Sequence, residues 1–212
     1  RPTAVEGTST PILSLDGTWE FSSTGNTGEF KPIQVPGEWK MQGFDVPRGQ
    51  FARYRKSVSV PADWKGRRMK MRFDAVHAVC RVVVNGSEVG SHEGGMVPFE
   101  LDVTDAVRPG EDNVVEVMVQ SESVADSVGC ISQYAAHQVG GILRKVAMIA
   151  LPDLHVASDN SRTTLDGADA VFHYEANIAN AGDSVRPVVL TAALKDANGR
   201  EVVSWKIPVE AV

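Results

Sequence analysis

A polar stretch from Ser121 to Gly141 holds the side chains best suited to chemistry in this chain of 212 residues. It lacks helix or strand periodicity and contains Tyr134, His137 and Gln138, whose side chains donate and accept hydrogen bonds. Stretches of this length without secondary structure are usually functional or disordered. The stretch is therefore the first candidate for a binding site, and a solvated loop is the alternative.

The sequence shows no signature of a metal, nucleotide or serine-hydrolase site. Cys80 and Cys130 are too few for paired CxxC ligands, and His92-Glu93 is followed by Gly-Gly-Met where a zinc-binding helix would carry a second histidine. Cys80 lies in an apolar strand pattern, so we expect a small buried hydrophobe rather than half of a disulfide with Cys130. We predict neither a metal nor a cofactor.

Charge and hydropathy exclude two classes of partner. With 21 Lys and Arg against 27 Asp and Glu, the net charge is −6, and the basic run at residues 65–68 is too short to neutralise a phosphate backbone. No window reaches the roughly 20 consecutive apolar residues of a membrane span. We expect neither nucleic acid nor membrane as a partner. The start at Arg1 lacks a signal-peptide pattern, and the compartment stays open between cytoplasm, periplasm and exterior.

Alternation of apolar and polar residues predicts that strands dominate the chain. Ser57–Val60, Met69–Phe73 and Val115–Val119 each alternate with a period of two, which is typical of strands with one buried face. Val82-Val83-Val84 is apolar throughout and favours a strand covered on both sides. Short strands without intervening helices predict an antiparallel sandwich or jelly roll.

Two Asn-Gly pairs predict tight hairpin turns. Asn85-Gly86 follows the valine run and has the residue types of a type I′ turn, in which both central residues have positive φ. Asn198-Gly199 is expected to repeat that turn between Leu190–Leu194 and Val202–Ile207.

Leu151-Pro152-Asp153 marks an expected domain boundary, because Pro152 cannot donate to a strand ladder. It separates a domain at 1–152 from one at 153–212, where four strand candidates occur: Leu154–Ala157, Val171–Ala179, Val188–Leu194 and Val202–Val209. An immunoglobulin-like sandwich needs about seven strands and about 100 residues. We therefore expect a truncated sandwich with uncovered side chains at Phe172, Tyr174, Ile178 and Trp205.

Eight short elements in the first domain occur in a characteristic order. They are Leu15–Phe21, Val35–Trp39, Ala52–Lys56, Phe73–Val76, Val84–Gly86 with Val89-Gly90, Pro98–Thr104, Pro109–Asn113 and Gly140–Val146. The series resembles the amino-terminal region of glycoside hydrolase family 2, the group of β-galactosidases, β-glucuronidases and β-mannosidases. Residues 153–212 resemble the start of the immunoglobulin-like domain that follows in these enzymes.

The resemblance implies a sugar-binding-like jelly roll, an immunoglobulin-like domain and a catalytic (β/α)8 barrel. Retaining glycosidases use two carboxyl groups; in this family both are barrel glutamates, and the acid follows an Asn. No Asn-Glu pair occurs in this sequence. The chain is therefore expected to be a non-catalytic accessory fragment whose partners are its own barrel and, through the parent enzyme, a carbohydrate substrate.

Other interpretations remain open. One is a free-standing carbohydrate-binding module, and a weaker one is a structural interaction domain of a surface protein. A module should end with a closed domain, whereas residues 208–212 stop midway through a sandwich, which favours the truncated enzyme. A homo-oligomer is also possible.

The resemblance implies which residues approach the substrate. In the β-galactosidases the segment before the Gly-Gly-Ile element carries an Asp and a Trp near the sugar, and those positions are Ala135 and His137 here. Ala135 cannot bind a hydroxyl, so galactose specificity is not supported. Tyr134, His137 and Gln138 remain as candidates, together with Asp45 and Arg48 from the Asp45–Gln50 loop.

Aromatic and charged residues in the family elements have two interpretations. Trp19, Trp39 and Phe73 could stack on a sugar, but we expect core positions, because aromatic residues dominate β cores. Asp74 is expected to form an internal ion pair with Arg55 or Arg144 rather than to recognise a sugar.

Overall fold

Antiparallel strands make up most of the computed structural model, which describes residues 11–24, 28–121, 139–167, 169–180, 182 and 184–211. The chain divides into two compact units, Arg1–Leu151 and Pro152–Val212. In the described part the helical elements are two 3₁₀ turns, Lys40–Gln42 and Ala62–Trp64. None of the helices described there is long and apolar enough to cross a bilayer. The predicted all-β, antiparallel fold class is confirmed.

The first unit is a two-sheet sandwich with twelve described strands. They are β1 (Ile12–Ser14), β2 (Gly17–Ser22), β3 (Lys31–Val35), β4 (Ala52–Ser59), β5 (Arg68–Phe73), β6 (Val76–His77), β7 (Val79–Val84), β8 (Ser87–Glu93), β9 (Phe99–Asp102), β10 (Asp112–Gln120), β11 (Gly141–Ile142) and β12 (Val146–Leu151). One sheet has the order β3-β2-β4-β10-β7-β8, the other β1-β12-β5-β9, and β11 pairs with β6.

The core lies between the two sheets and follows the alternation of the sequence. Trp19 and Phe21 of β2 point inward together with Tyr54 of β4, while Met71 and Phe73 come from the opposite sheet. The predicted strands around β4, β5 and β10 are confirmed. The expectation for β7 was wrong, because Val82 and Val84 are buried but Val83 is only half-buried on the outer face of its sheet.

The Asn85-Gly86 turn joins β7 to β8 as predicted, with φ values of 51° and 85°. The side chain of Asn85 also makes hydrogen bonds outside the turn. The Asn85 amide nitrogen donates to the Ala106 carbonyl at 2.8 Å and to the side-chain oxygen of buried Asn113 at 2.7 Å. Asn85 therefore fastens the hairpin to the loop before β10 as well as forming the turn.

The second unit consists of two long hairpins. The strands are β13 (Leu154–Asp166), β14 (Asp169–Asn180), β15 (Arg186–Lys195) and β16 (Glu201–Ala211). Four strands lie where four were predicted, but β13 continues well beyond Ala157 because it pairs with β14 as far as Asp166. Phe172, Tyr174 and Trp205 are exposed, as expected, whereas Ile178 is half-buried.

The second Asn-Gly pair forms a different turn from the one expected. Only Gly199 has a positive φ, 79°, and its amide donates to the Asp196 carbonyl at 3.0 Å. The Asp196 carboxylate accepts from the amides of Asn198 and Arg200, both at 2.9 Å. The pairing register shifts beside this turn, between Leu194 and Lys195, so the loop is longer than a type I′ turn.

Candidate functional site

Asp45 and Arg48 lie on the exposed segment between the first 3₁₀ turn and β4. Tyr134, His137 and Gln138 lie outside the described residues, as does Ala135. The structure therefore places two of the five predicted site residues, and both belong to one loop.

The Asp45 loop is held by the residues that precede it. Gly43, with a φ of 85°, ends the 3₁₀ turn, and the Phe44 amide donates to the Trp39 carbonyl at 3.1 Å. The Phe44 ring packs edge-on against Phe21 with 4.7 Å between centroids. The carboxylate of Asp45 forms an ion pair with Lys40. The backbone at Asp45 is thus anchored to the core while its side chain stays in solvent.

Two backbone hydrogen bonds join this region to β11 and to the residue that precedes it. The Gly37 amide donates to the Ile142 carbonyl at 2.9 Å, and the Trp39 amide donates to the Gly140 carbonyl at 3.2 Å. A side chain at Gly140 would overlap the ring of Trp39, so only glycine permits this approach. The Asp45 loop consequently begins beside the strand that follows residues 122–138 in the sequence.

Tyr54 lies beneath this junction and was not among the predicted site residues. A Cβ atom at Gly141 would lie 2.8 Å from its buried hydroxyl oxygen. Burial raises the pKa of Tyr54 well above its usual value, opposed by the nearby backbone of Ile142 and reinforced by the Glu38 carboxylate. Tyr54 is therefore a neutral packing group. The aromatic-basic element Ala52–Lys56 was the only signal for it in the sequence.

A cleft of about 420 Å³ opens beside Asp45, and we call it the Asp45 cleft. It is lined by Phe21, Ser23, Thr24, Gly28, Glu29, Lys31, Gly43, Phe44 and Asp45. Hydroxyl, carboxylate and ammonium groups can hydrogen-bond a polyhydroxylated ligand, whose carbon face can pack on the half-buried ring of Phe44. The arrangement is suited to binding. Among the described residues, no three His, Cys, Asp or Glu side chains converge as metal ligands would.

The predicted core positions of Trp19, Trp39 and Phe73 are confirmed, since all three side chains are buried. The indole nitrogen of Trp19 donates to the Leu15 carbonyl at 2.8 Å, which satisfies its polar group inside the core. These rings are not available for stacking on a sugar.

The predicted ion pairs of Asp74 were wrong. Asp74 pairs with Arg72, at 2.9 Å between Nε and Oδ1, because both lie on the same side of the chain at the end of β5. Arg55 instead pairs with Glu20, its register partner across the β2–β4 ladder, at 2.7 Å. Arg144 is exposed. Strand register decides these partners, and register could not be read from the sequence.

Cys80 is a buried free thiol on β7, as predicted. Burial raises its pKa to about 12, only partly opposed by a hydrogen bond from the backbone of His92. Cys80 is therefore unsuited to nucleophilic chemistry. Cys130 lies outside the described residues.

Comparison with known proteins decides the family. Residues 48–152 match the model of the glycosyl hydrolases family 2 sugar binding domain. The chain belongs to glycosyl hydrolase family 2. This family 2 chain is 29% identical over 143 residues to a β-glucuronidase of Bacteroides fragilis and 31% identical over 162 residues to a β-galactosidase of Thermoanaerobacter pseudethanolicus.

The matches cover much of the family 2 chain but little of its relatives. They span 65% and 75% of the chain, and about one fifth of the length of the two curated relatives (20% and 19%). The structure of a β-D-glucuronidase from Dictyoglomus thermophilum covers the whole chain with a TM-score of 0.79 at 22% identity, and the chain covers 39% of it. At that identity the likeness shows the fold. The resemblance found in the sequence is confirmed.

Proposed function

We propose that this chain is a non-catalytic, carbohydrate-handling part of a family 2 glycoside hydrolase. The observation that carries the proposal is the match of residues 48–152 to the family's sugar binding domain, in a chain that spans about one fifth of its relatives. The absence of an Asn-Glu pair from the sequence supports a non-catalytic role. In the complete enzyme a (β/α)8 barrel supplies the two catalytic carboxyl groups.

Incubation of the isolated chain with nitrophenyl β-galactoside, β-glucuronide and β-mannoside tests this role. We expect no turnover above that of a preparation from the same host without the chain. Hydrolysis that a point substitution within these residues abolishes would contradict the proposal.

We further propose that Asp45, Arg48, Tyr134, His137 and Gln138 lie close to the substrate of the complete enzyme. The anchored Asp45 loop, its cleft and its hydrogen-bonded junction with β11 support this placement. In the full-length protein, Asp45→Asn is expected to raise KM more than it lowers kcat, because the residue binds rather than reacts. Asp63→Asn, on the other 3₁₀ turn, is the matched control. If Asp45→Asn and Asp63→Asn had the same KM and kcat, Asp45 would not belong to the site.

A free-standing carbohydrate-binding module is the second candidate, and the Asp45 cleft favours it. A site shared with a barrel loses most of its contacts without the barrel, so free monosaccharides should bind with a Kd above about 1 mM. Calorimetry that gave micromolar affinity for a simple sugar would favour the module.

We assign 1–152 to a jelly-roll domain and 153–212 to part of an immunoglobulin-like domain. The four exposed strands of the second segment support a partial sandwich, whose apolar faces are covered by further strands or by a second copy of the chain. Light scattering that shows a monomer at all concentrations would exclude a second copy as the cover of these apolar faces.

A further inference from the structure

Strands β2 and β4 of the six-stranded sheet separate at the amino-terminal end of β2. They pair only between Glu20–Ser22 and Arg53–Arg55. On the amino-terminal side of Glu20 the two strands are no longer paired. Lys56 spans the gap between them by donating from Nζ to the Thr18 carbonyl at 2.9 Å. A cleft of about 590 Å³ opens here, which we call the Lys56 cleft. It is lined by Thr18, Trp19, Glu20, Phe30, Lys31, Pro32, Arg55, Lys56 and Ser57.

Positive charge is concentrated in the Lys56 cleft although the chain carries a net charge of −6. Its lining has three cations and one carboxylate, Glu20, which is already paired with Arg55 at 2.7 Å. Among the described residues, neither Lys31 nor Lys56 lies within ion-pair distance of a carboxylate. Burial lowers the pKa of Lys56, against the opposing charge of Asp16, as expected for an ammonium without a close counter-ion.

The remaining lining is suited to a sugar ring. Phe30 is half-buried with the Arg55 guanidinium stacked 4.2 Å from its centroid, and Pro32 beside it is exposed. A pyranose can lay its C–H face on exposed Pro32, beside Phe30, while Ser57 and the lysines bind its polar groups. Two lysines without a carboxylate partner among the described residues are too few for a nucleic acid, whose affinity rests on many phosphate contacts.

We propose that the Lys56 cleft is a second saccharide site that takes an acidic sugar, with Lys31 and Lys56 binding its carboxylate. The proposal rests on the carbohydrate-handling function proposed above and adds a site separate from the predicted residues. Lys31 also lines the Asp45 cleft, so the two clefts adjoin. An acidic oligosaccharide held at the Lys56 cleft can extend toward the Asp45 loop.

Titration of the ¹⁵N-labelled chain with trigalacturonate, followed by amide chemical shifts, tests the site. We expect shifts centred on Thr18, Phe30 and Ser57, with millimolar or tighter affinity. The methyl ester of the same trisaccharide, which keeps the sugar and loses the charge, should bind about tenfold more weakly, as expected for loss of charge-assisted hydrogen bonds. Equal binding of acid and ester would overturn the proposal, as would absence of shifts with either. Sulfate that reproduced the shifts would show an anion site without sugar recognition and would also overturn it.

Lysine variants locate the binding charge. Lys31→Gln and Lys56→Gln are each expected to weaken trigalacturonate binding about tenfold, whereas Lys65→Gln, on the surface near the second 3₁₀ turn, makes the same charge change and should leave binding unaltered. An equal loss in Lys65→Gln would mean that only net charge matters. Exposed Lys31 keeps the test decisive if Lys56→Gln disturbs the β2–β4 gap. Failure of these variants to weaken binding overturns this site alone, while hydrolysis by the isolated chain would contradict the proposed function.

Discussion

The two units use the same secondary structure to different effect. In the first, strands of two sheets face each other, and Phe21 is 0% exposed between Trp39, Phe44 and Tyr54. In the second, Phe172 is 40% and Trp205 41% exposed although both lie in long strands, each hydrogen-bonded to one neighbouring strand. Of the described residues after Leu151, Ala211 is the single buried hydrophobic one.

The difference shows that hydrogen-bonded strands alone do not make a core. Apolar burial contributes about 25 cal/mol per Å², and it requires a second layer over the strand face. The hairpins of the second unit have complete ladders but little such burial, and an isolated hairpin is at best marginally stable in water. We expect the two units to differ most in what keeps them folded.

Amide hydrogen exchange on the intact chain is expected to show the largest contrast. Amides of β2, β4 and β10 should be protected by at least about four powers of ten, which corresponds to ordinary global stability. Amides of β14 and β16 should exchange through local opening, at rates close to those of an unfolded chain. Uniform protection of both units in a monomeric sample, with Trp205 buried, would show that the second unit is complete as it stands.

A matched pair of phenylalanine truncations compares the two units by their free energies of unfolding. Phe21→Ala should lower the free energy of unfolding by about 3–5 kcal/mol because it leaves a cavity among packed rings. Phe172→Ala should cost less than about 1 kcal/mol because its ring is already in contact with water. Urea unfolding followed by residue-resolved amide signals measures both, because amides of β2 and β4 report on the first unit and amides of β14 and β16 on the second. Comparable costs would mean that the face around Phe172 is covered in solution.

The two Asn-Gly turns give a smaller contrast. Asn85→Ala removes the bonds to Ala106 and Asn113 and a third, accepted from the Val114 amide at 2.9 Å, and it forces alanine to a φ of 51°. We expect a loss of about 2–3 kcal/mol. Asn198→Ala keeps the hydrogen bond that the backbone amide donates to Asp196 and should cost less than about 0.5 kcal/mol. Thermal unfolding measures both, and Asn85→Gly, which tolerates the φ, separates the hydrogen bonds from the strain. Equal costs for Asn85→Ala and Asn198→Ala would contradict this role.

The sequence predicted the fold where alternation was strong. β4, β5 and β10 were found by their period-two patterns, and the rings of the core by their strand positions. The far half of β13 was missed because residues 158–164 are polar, and only pairing with β14 makes them a strand. The two Asn-Gly pairs are identical in sequence, so their different turns come from the flanking residues, Asp196 above all.

The candidate site was less accessible to sequence reasoning than the fold. Asp45 and Arg48 followed from family resemblance, and their loop was located. The contact of Gly140 with Trp39 joins residues about one hundred positions apart, and no local pattern announces it. The Lys56 cleft likewise arises from the divergence of two strands whose register the sequence does not specify.

Asp102, at the end of β9, gives the smallest expected effect, and Asp166 in the second unit is its control. Its Oδ1 accepts from the Thr104 hydroxyl at 2.6 Å and the Thr104 amide at 3.0 Å, and its Oδ2 accepts from Arg68 Nε at 2.9 Å. Burial alone would raise its pKa, but the Thr104 bonds and the Arg68 charge outweigh burial and hold the pKa below its usual value. Folding therefore favours the carboxylate over the acid.

The sign of the pH dependence follows from that lowered pKa. The stabilisation is fully present above the unfolded value of about 3.9 and is lost as pH falls through the lower folded value. Because the Asp102 side chain is 42% exposed, Asp102→Asn should cost no more than about 1 kcal/mol at pH 7. Urea unfolding at pH 7 and pH 3 should show the variant and the parent chain converging at the lower pH. Asp166→Asn, at the tip of the first hairpin of the second unit, should leave the free energy of unfolding unchanged at both pH values. A cost for Asp102→Asn that stayed constant with pH would mean that shape rather than charge at Asp102 stabilises the first unit.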